Sequence, residues 1–542
     1  MASPSSPITL KNPIFFTSFP HNIFKTKPKT LILTTKIKTC SIICSTSCTS
    51  VNSSTTQQNL KQNQTLVSDN KREEEKALVK EEGKAALEVE EEVNLREIWR
   101  EVQGCNNWEG LLDPMNNHLR REIIRYGEFA QACYDSFDFD PHSKYCGSCK
   151  YHPSDFFPNL DLNLHKGYTI TRYLYATSNI NLPNFFQRSK LSSIWSQHAN
   201  WMGYVAVATN EEEVARLGRR DIVIAWRGTV TYLEWIYDLK DILCSANFGD
   251  DPLIKIELGF HDLYTKKEDS CKFSSFSARE QVLAEVKRLL EYYGTGEEGH
   301  EISITVTGHS LGAALALVSA YDIAELNLNH IPEKNYKVPI SVFSFSGPRV
   351  GNLRFKERCE ELGLKVLRVV NVHDKVPSVP GIFTNEKFQF QKYIEETTSF
   401  PWSYAHVGVE LALDHKKSPF LKQTKDLGCA HNLEALLHLV DGYHGKEEGG
   451  EKKFCLVTKR DIALVNKSCD FLRSDYHVPP CWRQDENKGM VKNEDGRWIL
   501  PDRPRLEPHQ PEDITHHLQK VIGKFNDGDP KPTITVKRLG QN

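Results

Sequence analysis

The chain has 542 residues, 39% of them apolar and 26% charged, which suits a soluble catalytic domain with appendages or two to three smaller domains. No stretch reaches the ~18 consecutive apolar residues of a membrane-spanning helix, so contact with lipid is expected to be peripheral. A formal net charge of −3 makes the chain a poor candidate for nucleic acid, which demands a basic face.

The first 68 residues differ from the rest. They carry seven lysines, no arginine and no acid before Asp69, and they are dense in Ser and Thr. A basic, acid-free, hydroxyl-rich leader reads as a transit peptide over 1–60, and its lack of arginine favours the plastid over the mitochondrion. Cleavage is expected within 40–60, and loss of all seven leader lysines would take the net charge from −3 to about −10. Of the 14 cysteines, Cys40, Cys44 and Cys48 lie in this leader. The others lack the regular spacing of a disulfide framework and are expected to be reduced thiols. Residues 61–95 form a Glu/Lys-rich linker with helical tendency and little to bury.

From Leu95 the composition turns globular, and a domain is expected over 96–445. Residues 119–134 make an apolar-rich helix. Cys146 and Cys149 form a C-x-x-C with no second copy and no βαβ context, which reads as a structural turn with a regulatory disulfide as its rival. Strand-like runs occupy 168–175 and 201–208, and 221–226 is a continuous apolar run typical of a buried strand. After it, 231–239 is short and aromatic, with Leu233, Ile236 and Tyr237 at helical spacing. Tyr232, Leu233, Trp235 and Ile236 are candidates for a mobile lid meeting lipid, against the plainer reading of a surface helix. An amphipathic helix spans 278–293. The Gly294, Gly296, Gly299 pattern matches a dinucleotide fingerprint, but it follows a helix and precedes a strand, the reverse of what phosphate binding needs. No cofactor and no metal site is expected.

Residues 302–307 alternate Ile, Ser, Ile, Thr, Val, Thr, the period of a strand. Beyond Ser310 a Leu/Ala-rich run reads as a helix. Between them stands Gly308-His309-Ser310-Leu311-Gly312, a G-x-S-x-G pattern. A strand turning straight into a helix puts Ser310 on a strained corner, and Gly308 and Gly312 leave room where a Cβ would collide. The alternative is a plain turn whose serine caps the helix. Two further strands at 338–345 and 364–372, separated by a helix at 354–362, complete a mostly parallel α/β sheet flanked by helices. A C-terminal extension over 446–525 is expected to pack on this domain, ahead of a loose tail at 526–542.

A serine hydroxyl needs a base and a carboxylate to be nucleophilic at neutral pH. Asp374 follows the strand at 366–372 and is therefore presented at the same sheet edge as Ser310; Asp322, Asp414 and Asp426 are its rivals. His406, His415, His431, His438 and His444 all follow Asp374 and remain open as the base. His431 precedes an amphipathic helix at a loop junction, whereas His438 lies two turns inside it. His309 and His373 are expected to point away from the serine and the aspartate they adjoin. An oxyanion hole is expected from the N–H of Leu311 and from the end of strand 221–226 at Gly228 and Thr229; such a donor is worth roughly 3–4 kcal/mol to the transition state.

Trp226-Arg-Gly-Thr229, Gly308-His-Ser-Leu-Gly312, Phe345-Ser-Gly-Pro-Arg349-Val-Gly351, Asn371-Val-His-Asp374 and Tyr404-Ala-His-Val-Gly408 together resemble the class 3 (fungal-type) lipase family over most of 200–445. Tyr145–Tyr151, Cys429-Ala-His431 and Gly496-Arg-Trp498 are similar to its plant chloroplast class I phospholipase A1 group, gamma type. The resemblance implies the α/β-hydrolase fold, with Ser310 as nucleophile, Asp374 as orienter and His431 as base, and Thr229 and Leu311 as the oxyanion hole. It also implies cleavage of the sn-1 acyl ester of phosphatidylcholine and, in many members, of galactolipids or triacylglycerol. The rival readings are a carboxylesterase or acyltransferase, and a non-catalytic lipid-binding protein on a hydrolase fold.

Overall fold

In the computed structural model of the chain, residues 94–160, 167–180, 190, 194–196, 198–229, 242–294, 300–381, 403–447, 450–451, 453–458, 460–482, 491–492 and 498–499 are described. The chain divides into the units Met1–Lys71 and Arg72–Asn542. The expected leader, most of the linker, the candidate lid residues Tyr232, Leu233, Trp235 and Ile236, and the tail lie outside the described residues.

Seven strands form the central sheet: β1 (Tyr168–Thr177), β2 (Ala199–Ala208), β3 (Arg220–Trp226), β4 (Ile302–His309), β5 (Ile340–Phe345), β6 (Lys365–Asn371) and β7 (Val409–Leu413). They lie side by side in chain order. β1 with β2 and β2 with β3 run antiparallel, and the remaining pairings are parallel. The helices that build and flank the site are α1 (Asn117–Asp135), α2 (Ala278–Gly294), α3 (Leu311–Glu325), α4 (Leu427–Ala430) and α5 (Leu433–Gly442). α1 and α5 share one buried core with the sheet, and α2 and α3 share the other. This three-layer α/β/α build is the expected hydrolase arrangement.

β4 shows why its alternating pattern folds into the middle of the sheet rather than onto an exposed face. Ile302, Ile304 and Val306 join the core beside α2 and α3. Its hydroxyl side is equally buried and satisfied: Ser303 and Thr305 each donate to Asp221 at 2.8 Å, and Thr307 donates to the Tyr126 carbonyl at 3.0 Å. Small polar side chains here hydrogen-bond the neighbouring strand and α1 instead of water.

α1 starts at Asn116, whose side chain accepts from the amides of His118 and Leu119. Its Arg120 reaches across to α5, where Nη1 donates to the carbonyls of Val440, Asp441 and Tyr443 at 2.7, 2.8 and 2.6 Å. A buried guanidinium thus caps the negative end of that helix. Beyond α5, Val465, Phe471 and Leu472 enter the same core, and Lys467 pairs with Asp135 and Glu434.

Residues 145–149 form a turn whose Cys146 and Cys149 are free, buried thiols. Burial, above other causes, pushes Cys146 up to about 12 and Cys149 to about 11. Thiols held this far from the thiolate form are poor nucleophiles, as suits the structural reading of the motif.

Candidate active site

The junction of β4 and α3 is the strained corner that the glycine pattern predicts. Ser310 adopts φ 61° and ψ −128°, a conformation that non-glycine residues rarely take. Its amide donates to the Phe345 carbonyl at 2.9 Å, anchoring the corner to β5. A Cβ on Gly308 would lie 2.3 Å from the Gly312 carbonyl carbon, and one on Gly312 would lie 2.3 Å from the Trp226 carbonyl oxygen. Both positions require glycine because backbone, not a yielding side chain, fills the space. Ser310 makes no capping hydrogen bond to α3. Its Oγ is buried and has no hydrogen-bond partner among the described residues, which removes the reading of the serine as a helix cap.

Asp374 follows β6. Its amide donates to the Asn371 carbonyl at 2.9 Å, and its Oδ1 accepts the Val376 N–H at 2.9 Å. Its Oδ2 lies 2.7 Å from His431 Nδ1. A carboxylate can only accept, so Nδ1 carries the proton and Nε2 of the neutral ring is left as an acceptor. That Nε2 is the second orphan: it is buried and has no hydrogen-bond partner among the described residues.

His431 sits between α4 and α5, and the backbone on either side of it is tied down. Asp426 accepts from the amides of Gly428 and Cys429 to start α4, and Asn432 accepts from Glu434 and Ala435 to start α5. The Asn371 side-chain amide donates to the Ala430 carbonyl at 2.9 Å. His309 Nε2 lies 2.9 Å from the His431 carbonyl oxygen.

The end of β3 supplies the opposite wall. Trp226 pairs with Gly308, which sets residues 227–229 beside the elbow. The buried Arg227 guanidinium donates to the carbonyls of Trp201 and of Gly228, at 3.0 and 2.8 Å. Fixing the Gly228 carbonyl fixes the next peptide plane, so the Thr229 N–H points to the side away from Arg227. The Leu311 N–H opens α3, where no intrahelical acceptor exists for it.

The competing candidates are engaged elsewhere. His406 pairs with the Pro377 carbonyl, His415 with Asn371, His438 with Ser418 and His444 with the Cys455 carbonyl. Asp322 holds Arg279 through both oxygens at 2.8 Å, Asp414 pairs with His373, and Asp426 caps α4. Among the described residues, His373, Asp414 and His415 are the group whose ligating atoms lie close enough, within 4.8 Å, to share a metal ion.

His309 departs from expectation in one respect. Its ring packs against His431, with centroids 4.5 Å apart, instead of simply turning from the site. Tyr134, at the end of α1, reaches His309 Nδ1 at 2.8 Å. No local pattern marks Tyr134, because only the packing of α1 on the sheet brings it near Ser310.

A mostly parallel sheet with a serine on a strained strand-to-helix corner, and an aspartate–histidine pair at the same edge, defines a serine hydrolase of the α/β class. The chain belongs to the class 3 lipase family: the Lipase (class 3) model matches residues 223–384, and relatives match far beyond them. It is a serine lipid hydrolase, an acyl hydrolase of the chloroplast. The chain is 86% identical over 535 residues to Phospholipase A1-Igamma3, chloroplastic, of Arabidopsis thaliana, covering 99% of this chain and 100% of that relative. It is 59% identical over 439 residues to Phospholipase A1-Igamma1, chloroplastic, covering 80% and 84%, and 44% identical over 353 residues to Galactolipase DONGLE, chloroplastic, covering 64% and 70%, both also of Arabidopsis thaliana. Among solved structures, lipase II from Rhizopus niveus matches 55% of this chain and 82% of its own at 21% identity and a TM-score of 0.33.

Proposed function

We propose that the protein cleaves the sn-1 acyl ester of glycerolipids, phosphatidylcholine and galactolipids among them, with Ser310 as nucleophile, His431 as base and Asp374 as its orienter. The observation that carries the proposal is the pair of buried atoms without partners, Ser310 Oγ and His431 Nε2, beside an Nδ1 already committed to Asp374. Burying two polar atoms unpaired costs free energy, and the Ser310 hydroxyl is the donor that the Nε2 acceptor needs once the two are brought within reach.

In this reading Oγ attacks the ester carbonyl carbon as its proton passes to His431 Nε2, and Asp374 stabilises the imidazolium. The carbonyl oxygen becomes an oxyanion held by the N–H groups of Leu311 and Thr229. The tetrahedral intermediate collapses as His431 returns the proton to the glycerol oxygen, releasing lysolipid and leaving the acyl group on Ser310. Water then attacks with His431 again as base, freeing the fatty acid. The catalytic region is 96–445, with Val465, Phe471 and Leu472 beyond it packed into its core, and the protein meets the lipid surface peripherally.

The test uses phosphatidylcholine with different acyl chains at the two positions. The sn-1 acid is released by the native enzyme, and Ser310→Ala lowers that rate by about 10⁶-fold. Release from sn-2 overturns the positional assignment, and substantial turnover by Ser310→Ala overturns the nucleophile.

A further inference from the structure

A run of hydrogen bonds joins the end of α1, the elbow and the base. Its chemistry fixes the direction of each link. The His431 carbonyl can only accept, so His309 Nε2, 2.9 Å away, must carry a proton. In a neutral ring Nδ1 is then an acceptor, and the Tyr134 hydroxyl, 2.8 Å from it, must donate. The Tyr134 hydroxyl also packs against Gly228, where a Cβ would lie 2.1 Å from its oxygen, and Thr229 is the next residue.

His309 is neutral in the folded protein. Burial, and after it the adjoining His431, holds its pKa well below the usual imidazole value. That neutrality matters for turnover, since its ring centroid is 4.5 Å from that of His431. A charged His309 would oppose the imidazolium that forms when His431 takes up the serine proton. Without the Tyr134 hydroxyl, Nδ1 loses its donor and the ring is free to move its proton from Nε2 to Nδ1. The His431 carbonyl then loses its support.

We infer that Tyr134 and His309 are positioning residues for the reaction: the Tyr134 hydroxyl sets the tautomer of His309, and His309 in turn holds the backbone of His431 in register with Ser310 and with the Gly228–Thr229 strand end. Neither residue touches the reacting atoms. The inference rests on the reading of His431 as the base.

The test measures kcat and KM on a soluble short-chain ester for five variants of the full chain, with thermal unfolding as a check on folding. Ser310→Ala and His431→Ala must abolish turnover; activity in either removes the base reading itself, whatever the Tyr134 and His309 variants do. Tyr134→Phe is expected to lower kcat by about 10- to 100-fold with KM within about twofold of native. His309→Leu is expected to lose at least as much. His309→Gln, whose side-chain amide can still donate to the His431 carbonyl, recovers a large part of the kcat that His309→Leu loses. If the Ser310 and His431 variants are inactive but Tyr134→Phe keeps native kcat, the inference is wrong. It is equally wrong if His309→Gln and His309→Leu are impaired alike. Should Tyr134→Phe fail to fold, the two His309 variants decide.

Discussion

A methyl group at Gly228 would lie 2.1 Å from the Tyr134 hydroxyl and 2.5 Å from the His309 carbonyl oxygen. Both obstacles belong to the site, so the added atom can be accommodated only by moving the strand end that presents Thr229 or the shelf beneath His431. Gly228→Ala is therefore expected to lower kcat by about 100-fold, the scale of losing one oxyanion donor, while leaving lipid adsorption unchanged. Steady-state kinetics with a vesicle-binding assay checks this; native kcat in the variant contradicts it. At this scale legibility varies with the origin of each constraint. Ser310 and its glycines are legible because a strand-to-helix corner is a local, short-range demand on the backbone. Asp374 is legible because a strand end locates it. The choice among five histidines is not, since any of them could reach the sheet edge and only the tertiary structure shows four paired elsewhere. The family resemblance, not the spacing, singles out His431. Tyr134 is invisible for the same reason: nothing local distinguishes it from any other aromatic at the end of an apolar-rich helix.

Elements are more legible than residues. The strands β3 to β6 and the helices α1, α2 and α5 lie within a few residues of their expected positions, because period-two and period-3.6 patterns record which side chains are buried. β4 marks the limit of that logic. Its alternation predicts a strand but not the fate of its hydroxyl face, which is closed by Asp221 and by the carbonyl of Tyr126 on α1. The short α4 has no counterpart among the expected elements, since its four residues carry no periodicity. Yet α4 and the first turn of α5 hold His431 between two side-chain caps, Asp426 and Asn432. An amphipathic helix alone would not fix the base; the two caps and the Asn371 contact to Ala430 do.

For the whole molecule, the sheet places Ser310, Asp374 and the Gly228–Thr229 strand end at the carboxyl ends of parallel strands, the edge where such folds bind ligands. The seven-stranded order follows from consecutive elements lying side by side, although the apolar patterns of β1 and β2 carry no information on their antiparallel direction. The cores also fix a pH dependence. Burial, and after it Arg460, depresses His438 to about 3, and burial likewise lowers His309 and His415. In the unfolded chain these imidazoles titrate near 6.5. The unfolded state therefore binds more protons below that pH, so stability is full above about pH 7 and falls as the solution is acidified. For His438 alone the loss by pH 5 is about 2 kcal/mol. His438→Gln, which can still bond Ser418, is expected to flatten the decline of the thermal midpoint between about pH 7.5 and pH 5. An unchanged slope contradicts the assignment.

Covalent trapping reads out whether His431 makes Ser310 reactive. The full chain is treated with a long-chain fluorophosphonate, digested, and the adduct located by mass spectrometry. Modification is expected at Ser310 in the native protein, with a far slower reaction in His431→Ala. Modification at another serine, or equally fast labelling without His431, contradicts this expectation.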